Sequence, residues 1–304
     1  MRRAYLLFAR GHRRRHGRFA SWRLVAYAAA AGIFLLGDSV LGQEIDYLED
    51  PSGFPFRTPL ASPLEPLTRL TIANVWRDTV SRSVALPDFG DRISFWIHRP
   101  AESTTEDTEG VQTDDEWELA GAIVGGAFSR FELETANKHF IEIHYHVGFQ
   151  FRGRYRDIAF RTELYHLSSH LGDEYMVVTG REPVSTSREG VELLFEFAPL
   201  RGLFVYGGPG WLIGSTRGYD PPSLRGGLEW EFTRTAARDV APFFAADLFA
   251  WGELDWDPMV SLEGGVNIGR HVRLAITYGF GPSRAEQLLY ESERLLGIVF
   301  AYRR

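Results

Sequence analysis

The 304-residue chain is predicted to form a closed antiparallel transmembrane β-barrel of about twelve strands, with ten as the alternative. Three observations predict this fold class. Many segments alternate apolar with polar or small residues, the period-two pattern of strands with two different faces. Several of these segments run about ten residues, enough to cross a bilayer when tilted. Aromatic residues recur at strand ends on the apolar face, where an interfacial girdle would place them.

The alternation is clearest in residues 139–152, HFIEIHYHVGFQFR, where Ile143, Tyr145 and Val147 oppose His144 and His146. A secreted, soluble β-sandwich would also alternate, so the pattern by itself leaves that alternative open. Two candidate strands, the second and the ninth, are weak. Strands are predicted to begin near Arg69, Arg92, Trp117, Phe140, Ile158, Val191, Gly202, Ser223, Pro242, Val260, Val272 and Arg294.

The first 42 residues are predicted to be a signal peptide cleaved near Gly42. Residues 1–23 carry eight arginines and no acid, and an apolar run of 13 residues follows from Leu24 to Leu36. A basic region, a short apolar region and small residues before the cleavage point are typical of secretory signals. Thirteen residues span about 20 Å as a helix, which is short for a membrane anchor.

The remaining chain divides into a lead-in and a barrel. Residues 43–67 are proline-rich and predicted to be an extended periplasmic lead-in, and residues 68–304 form the barrel. With a periplasmic N-terminus, loops after odd strands should be external and longer, and residues 170–190 fit that expectation. The acidic run at 100–116 is predicted to be a mobile loop. It follows an even-numbered strand in this count, which disagrees with the expectation that the longer loops follow odd-numbered strands.

Composition excludes several classes of function. The chain has no cysteine, so it has no disulfide, no thiolate metal site and no cysteine nucleophile. Its net charge of −7 becomes more negative once the arginine-rich leader is removed, which disfavours nucleic acid as a partner. Phosphate-loop, dinucleotide-binding and H-E-x-x-H zinc motifs are absent from the sequence, and neither a cofactor nor a metal ion is expected.

The segment YHLSSHLGDEY, from Tyr165 to Tyr175, is the most distinctive part of the chain. Together with LASPLEP, VYGGPG, RGGLEWEF and AADLFAW, it resembles a bacterial family catalogued as domain of unknown function 1207. The likeness covers most of residues 54–302. It implies an outer-membrane barrel in a Gram-negative envelope, in contact with phospholipid and lipopolysaccharide, and it supplies no activity.

The C-terminal segment resembles the assembly signal of outer-membrane barrels. It has a Gly297-x-x-Phe300-x-Tyr302 pattern, followed by two arginines. The resemblance implies the barrel-assembly machinery as a partner.

A candidate catalytic pair lies on the predicted fifth strand. Arg161 and Glu163 are costly in lipid, so their face should be the lumen, and His166 and Ser168 should face outward near the outer leaflet. A histidine two residues from a serine on one strand face can act as a base that activates the hydroxyl. The full motif is Tyr165, His166, Ser168, Ser169, His170, Gly172, Asp173 and Glu174.

This His-x-Ser pair resembles that of two barrel enzyme families, outer-membrane phospholipase A and the lipid A deacylases. The resemblance implies Ser168 as nucleophile and His166 as general base. The phospholipase orients its histidine with an asparagine on the next strand, and no asparagine lies between Asn137 and Asn267. The deacylases use a glutamate, for which Glu174 or Glu182 is available.

Three functions therefore stay open. The first is a structural or lipid- and surface-interacting barrel, in which the motif only hydrogen-bonds the barrel mouth. The second is a lipid-facing acyl-ester hydrolase. The third and weaker one is a small-solute channel, although bulky lumen residues favour a filled barrel. Binding of a divalent ion by His166, His170, Asp173 and Glu174 would need a helix at His166. The predicted polar cluster in the lumen is Glu142, His144, His146, Arg161 and Glu163.

Overall fold

The fold is taken from a computed structural model that describes residues 56–98, 117–135, 139–184, 186–200, 202–232, 240–269 and 271–302. The predicted signal peptide and the acidic run at 100–116 lie outside the described residues.

The described residues form twelve antiparallel strands in one closed barrel, as predicted. Each strand pairs with its sequence neighbours, and β1 pairs with β12 from Thr68↔Tyr302 onward. Closure leaves no unpaired strand edge, which is the condition for a sheet in lipid. The strands are β1 (Thr68–Arg77), β2 (Val80–His98), β3 (Glu118–Glu132), β4 (Phe140–Tyr155), β5 (Ile158–Leu171), β6 (Thr186–Leu200), β7 (Leu203–Ser215), β8 (Pro222–Glu231), β9 (Val240–Trp251), β10 (Met259–Ile268), β11 (Val272–Pro282) and β12 (Ser292–Tyr302). The helical segments are α1 (Asp173–Thr179) and two 3₁₀ turns, Gly252–Leu254 and Glu286–Leu288.

Two strands, β2 and β6, begin several residues before their predicted starts. β2 begins at Val80, twelve residues before the predicted start near Arg92, because β1 turns directly into it at Asp78. Pro87 hides this strand in the sequence, and the ladder to β3 skips from Ala85 to Asp88 around it. β6 begins at Thr186, five residues before the predicted start at Val191. The earlier start adds two outward positions, Ser187 and Glu189, to the site described below.

The two faces of the wall differ in polarity as the alternation predicts. Arginine and glutamate side chains such as Arg152, Arg161 and Glu263 are buried in the lumen. Apolar side chains cover the outer face, with Phe89 and Ile276 each 63% exposed. Aromatic residues lie on this face toward both ends of the barrel. Polar inside and apolar outside is the arrangement of transmembrane barrels.

The two ends of the barrel are connected differently. β1 begins and β12 ends at one end, here called the terminal end, where short turns such as 156–157 join the strands. The opposite end, here called the loop end, carries the connections 172–185, 252–258 and 283–291. None of the helices in the described part of the chain has the length and apolarity to cross a membrane.

Residues 56–67, part of the segment 43–67 that the sequence predicts to be a periplasmic lead-in, lie inside the barrel. Phe56 and Ser62 are fully buried. Arg152 Nη1 donates to the Phe56 carbonyl at 2.9 Å, and Arg69 Nη1 donates to the Ser62 carbonyl at 2.9 Å. An extended, proline-rich chain leaves its backbone groups unpaired, so lumen side chains can bond them. Residues 43–55 of the predicted lead-in lie outside the described residues.

Glu65 fixes this inner segment to the wall. Its carboxylate pairs with Arg161, and it accepts from Arg225 Nη2 at 3.1 Å. The same two arginines contact Glu192, at 2.6 and 3.3 Å. Burial alone would raise the pKa of Glu65, but the two guanidinium groups lower its pKa below the ordinary range. The lumen is therefore filled by a charge network that joins the inner segment to β5, β6 and β8.

The loop end is closed by the connection 283–291. Glu142 on β4 accepts the backbone N–H groups of Glu286 and Gln287 at 2.7 and 2.9 Å. Arg188 pairs with Glu286 at 3.2 Å, and Leu288 is buried. Residues 56–67 thus occupy the interior of the barrel, and the connection 283–291 covers its loop end.

Candidate functional site on the outer face of β5 and β6

The alternation of β5 decides which side chains reach the outside. Arg161 and Glu163 are buried in the lumen, and the residues that alternate with them along β5 point to the outer face. His166 lies opposite Val147 of β4, and Ser168 lies opposite Tyr145. His166 and Ser168 therefore face outward.

Ser168 lies near the loop-end limit of the apolar outer face. Ten residues separate it from Ile158, the first outward residue at the terminal end. At about 3.3 Å per residue and a tilt of about 40°, this is about 25 Å along the membrane normal. That height equals the usual apolar band of a transmembrane barrel, about 25 Å. In a barrel with an apolar band of that height, Ser168 would lie at the edge of the band.

A carboxylate lies beside the imidazole. Glu189 on β6 is directly opposite His166, and its Oε1 atom is 2.9 Å from His166 Nδ1. In the tautomer that suits an ionised carboxylate, Nδ1 is the donor and Nε2 is the acceptor. Both side chains are half-exposed, at 44% and 47%. This orientation leaves Nε2 free to take a proton.

Gly214 on β7 makes room for the Glu189 side chain. A Cβ atom at this position would lie 2.9 Å from Glu189 Oε2. The strand pairing of β6 with β7 is irregular at the same point, between Glu189 and Gly190. A bulge here lets the carboxylate lie flat beside β7.

The surroundings of the pair are apolar toward the membrane centre. Val147 is 50% exposed, Leu164 is 38% exposed and Trp211 is 54% exposed. Val147 is the cross-strand partner of His166 on β4. Leu164 lies two residues before His166 on β5, and Trp211 on β7 is paired with Val191, two residues after Glu189. An acyl chain lying along this surface would meet the polar pair only at its ester end.

The other motif residues take different positions. Tyr165 is in the lumen, where its ring stacks on His146 at 5.6 Å, and Ser169 is buried there. His170 faces outward with its ring 6.2 Å from that of Tyr145. Only glycine fits at position 172, because a Cβ atom there would lie 1.9 Å from the Phe140 carbonyl oxygen.

Glu174, the predicted third member of the catalytic group, lies on α1 beside Asp173, and both are exposed. Glu182 is exposed in the same loop. The structure places Glu189 at the imidazole, in the position for which the sequence suggested Glu174. The described residues contain no group of three or more His, Asp or Glu side chains that could hold a metal ion.

The residues of the predicted lumen cluster form two groups of contacts, one around Glu142 and one around Glu163. His146 Nε2 lies 2.6 Å from Glu163 Oε1, and Gln150 Nε2 donates to Glu163 Oε2 at 2.7 Å. His144 Nδ1 lies 3.4 Å from Glu142 Oε1. These groups stabilise the filled lumen together with Arg161.

Glu189 was missed by sequence reasoning, although a signal for it exists. The alternation of residues 191–197 puts Val191, Leu193 and Phe195 on the apolar face. Extended back by two residues, the same alternation puts Glu189 on that face. A carboxylate on the lipid side of a strand is costly and therefore informative.

A family model described as "Protein of unknown function (DUF1207)" matches residues 48–303. The chain belongs to this family. No curated protein sequence matches this DUF1207 chain. Outer membrane phospholipase A from Escherichia coli is 12% identical over 82% of this chain and 95% of its own, with a TM-score of 0.48. The Salmonella typhi phospholipase dimer with bound calcium is 12% identical over 84% and 94%, with a TM-score of 0.47. The translocator domain of autotransporter NalP from Neisseria meningitidis is 14% identical over 79% and 87%, with a TM-score of 0.32.

Proposed function

We propose that this DUF1207 protein is an outer-membrane β-barrel whose outer face hydrolyses acyl esters of membrane lipids. One observation carries the proposal: Glu189 Oε1 lies 2.9 Å from His166 Nδ1, on the strand face that also carries Ser168. The acid holds the imidazole with Nε2 free, which is the arrangement a general base needs beside a serine nucleophile.

The reaction divides the work among three side chains. Ser168 Oγ attacks the ester carbonyl carbon, its proton passes to His166 Nε2, and the carbonyl π electrons move onto the oxygen. Collapse of the tetrahedral intermediate breaks the bond to the alcohol oxygen, which takes the proton from His166. Water then attacks the acyl-serine with the same base, releasing the fatty acid and returning the proton to Ser168. Glu189 stabilises the imidazolium throughout.

Ser168 and His166 are not hydrogen-bonded in the described part of the chain. Alternate residues on one strand face are about 6–7 Å apart along the strand, so the two side chains must lean together. Catalytic hydrogen bonds often form fully only when the substrate is bound. We infer that the ester at the edge of the apolar band occupies the space between the two side chains.

The outer membrane is the proposed location because the outer face is apolar on all sides of the barrel. The exposed Phe300 and Tyr302 on β12 lie on this face, and Gly297 approaches the Ile72 carbonyl inside the wall. We propose that the assembly machinery reads these two aromatic residues at the last strand.

The test is fatty-acid release by the full barrel purified in detergent micelles. The substrates are mixed micelles of a phospholipid and, separately, lipopolysaccharide, and the variants are Ser168→Ala, Glu189→Gln and Glu174→Gln. We expect release by the wild type, near-background release by Ser168→Ala, and a loss of about 10²-fold or more in Glu189→Gln. Glu174→Gln should match the wild type, because that carboxylate lies on α1. Equal, near-zero release by wild type and Ser168→Ala would leave a structural or surface role in its place.

The channel alternative is disfavoured by the filled lumen. Residues 56–67 and the loop 283–291 occupy the interior, and a cavity beside Arg69 and Thr71 is about 60 Å³, room for a few water molecules. Planar-bilayer recordings should therefore show no stable conductance from the wild-type barrel. Steady, solute-dependent steps would support the channel.

A further inference from the structure

A second outward hydroxyl lies directly beside the proposed nucleophile. Ser187 on β6 is the cross-strand partner of Ser168 on β5, just as Glu189 is the partner of His166. The outer face therefore carries two successive pairs, one of two hydroxyls and one of an imidazole and a carboxylate. The arrangement is named here the outer quartet: His166, Ser168, Ser187 and Glu189.

The backbone hydrogen bonds of Ser187 show which type of cross-strand pair the two serines form. Its N–H donates to Thr216 Oγ1 at 2.9 Å, and its carbonyl accepts the Thr216 N–H at 2.9 Å. Both groups thus point toward β7 and away from β5. In an antiparallel pair this makes Ser168 and Ser187 a non-hydrogen-bonded pair, with Cα atoms about 4.5 Å apart and side chains at their closest approach.

The same alternation accounts for the acid–base contact one pair away. Residues two apart on a strand direct their backbone groups to the same side, so His166 and Glu189 are also a non-hydrogen-bonded pair. Their 2.9 Å contact agrees with that close spacing. Tyr145, on the other side of Ser168, belongs to a hydrogen-bonded pair with Cα atoms about 5.5 Å apart.

Ester hydrolysis at Ser168 needs a donor for the oxyanion that forms on the carbonyl oxygen. Many enzymes use backbone N–H groups for this purpose. Here the Ser187 N–H is already bonded to Thr216, and the alternation directs the Ser168 N–H into the ladder with Tyr145. A side-chain donor must therefore supply the hydrogen bond.

We propose that the Ser187 hydroxyl is this donor, an inference that rests on the proposed function. The oxyanion forms on the carbon bonded to Ser168 Oγ, and the donor must lie about 2.7–3.1 Å from that oxygen. Of the outward positions beside Ser168, the non-hydrogen-bonded partner Ser187 brings a hydroxyl nearest to where that oxygen forms. Ser187 donates a hydrogen bond to the developing charge and transfers no proton, so His166 stays the only base. Ser187 is thus a catalytic residue that contacts the reacting oxygen.

The test compares three variants of the full barrel in detergent micelles: Ser187→Ala, Ser187→Thr and Tyr145→Phe. Fatty-acid release gives kcat and KM, and a fluorophosphonate probe followed by peptide mass spectrometry identifies the nucleophile. We expect Ser187→Ala to lower kcat about 10²-fold with KM nearly unchanged, because the bond exists only in the transition state. Ser187→Thr, which keeps a hydroxyl on a strand-favouring residue, should recover most of kcat. Tyr145→Phe should stay within about threefold of the wild type.

The outcomes separate this inference from the proposed function. Labelling of Ser168 with unchanged kcat in Ser187→Ala would overturn the role of Ser187 and leave the hydrolase in place. Labelling of Ser187 in the wild type would also overturn it, because the two hydroxyls would then have exchanged roles. A wild type that neither releases fatty acid nor reacts with the probe would end the proposed function itself.

Discussion

The lumen and the outer face of β5 and β6 both contain glutamates, but the two regions use them differently. Inside, Glu65 contacts two arginines from different strands and is buried. Outside, Glu189 contacts one histidine and is half-exposed. The Glu65 contacts join the inner segment to β5 and β8, whereas the outer pair joins two strands that the ladder already holds together.

This difference indicates what each set of charges contributes. Breaking a buried pair leaves an uncompensated charge in a low dielectric, so the lumen glutamates are needed for stability. An exposed pair contributes about 0–1 kcal/mol to the free energy of unfolding. A carboxylate beside an apolar band is costly to place there and stabilises little. Its presence is better explained by chemistry at the membrane surface than by folding.

The largest expected effect is on the outer face. His166→Ala should lower fatty-acid release about 10³-fold, because it removes the base for both steps of the reaction. The free energy of unfolding of the barrel in micelles, measured with denaturant, should change by less than about 1 kcal/mol. His170→Ala, on the same face of the same strand, is the matched control and should keep full activity. A large loss of stability in His166→Ala would make the outer pair equivalent to the lumen pairs.

The opposite result is expected inside the barrel. Glu65→Ala leaves Arg161 and Arg225 without their shared carboxylate from the inner segment, at a cost of about 3–5 kcal/mol in the free energy of unfolding. Glu182→Ala, in the exposed loop after α1, should change it by less than about 0.5 kcal/mol. Unfolding by guanidinium in micelles, followed by tryptophan fluorescence, measures both. If the two variants unfold at the same midpoint, the inner segment does not stabilise the barrel.

The pH dependence of stability sharpens the same point. The pKa of Glu65 is lowered in the folded barrel by Arg161 and Arg225, against the effect of burial, from an ordinary value of 4.5. Its stabilisation is therefore complete above about pH 4.5 and is lost progressively as the pH falls below that value. The difference in unfolding free energy between wild type and Glu65→Gln should shrink over this range. A difference independent of pH would show that the charge of Glu65 is not what stabilises the inner segment.

The sequence predicted the strand faces well, because alternation is local. The outward direction of His166 and Ser168 follows from Arg161 and Glu163 alone, and the structure agrees. Glu189 could not be paired with His166 without the β5–β6 register, since 23 residues separate them. Glu174 was nearer in sequence but is carried away on α1. A helix between two strands thus decides which of two available acids reaches the base.

The inner segment was beyond prediction for a related reason. Its prolines indicate an extended chain, and an extended chain has the same local pattern inside a barrel as outside it. The lumen arginines that bond its carbonyl groups distinguish the two cases, and they come from β1, β4 and β11. Closure of the whole barrel must be known before these contacts can be assigned.

Two glycines offer the smallest and most closely matched comparison of the two regions. A Cβ atom at Gly214 would lie 2.9 Å from Glu189 Oε2 outside, and one at Gly148 would lie 2.8 Å from Glu163 Oε1 inside. The outer carboxylate has open space into which it can move, so Gly214→Ala should cost less than about 0.5 kcal/mol in unfolding free energy. It should nevertheless lower kcat a few-fold, because the moved carboxylate holds His166 less well.

Gly148→Ala should show the reverse. The new methyl group would also lie 3.0 Å from the Leu164 carbonyl and 3.1 Å from a Val124 methyl group, neither of which can yield easily. Overpacking of this kind costs about 1–3 kcal/mol, and Glu163 is held by His146 and Gln150 as well. Guanidinium unfolding and fatty-acid release, measured on both variants, separate the two effects. Equal changes in stability from the two substitutions would mean that the outer carboxylate is as rigidly packed as the inner one, and the expected contrast between the two regions would fail.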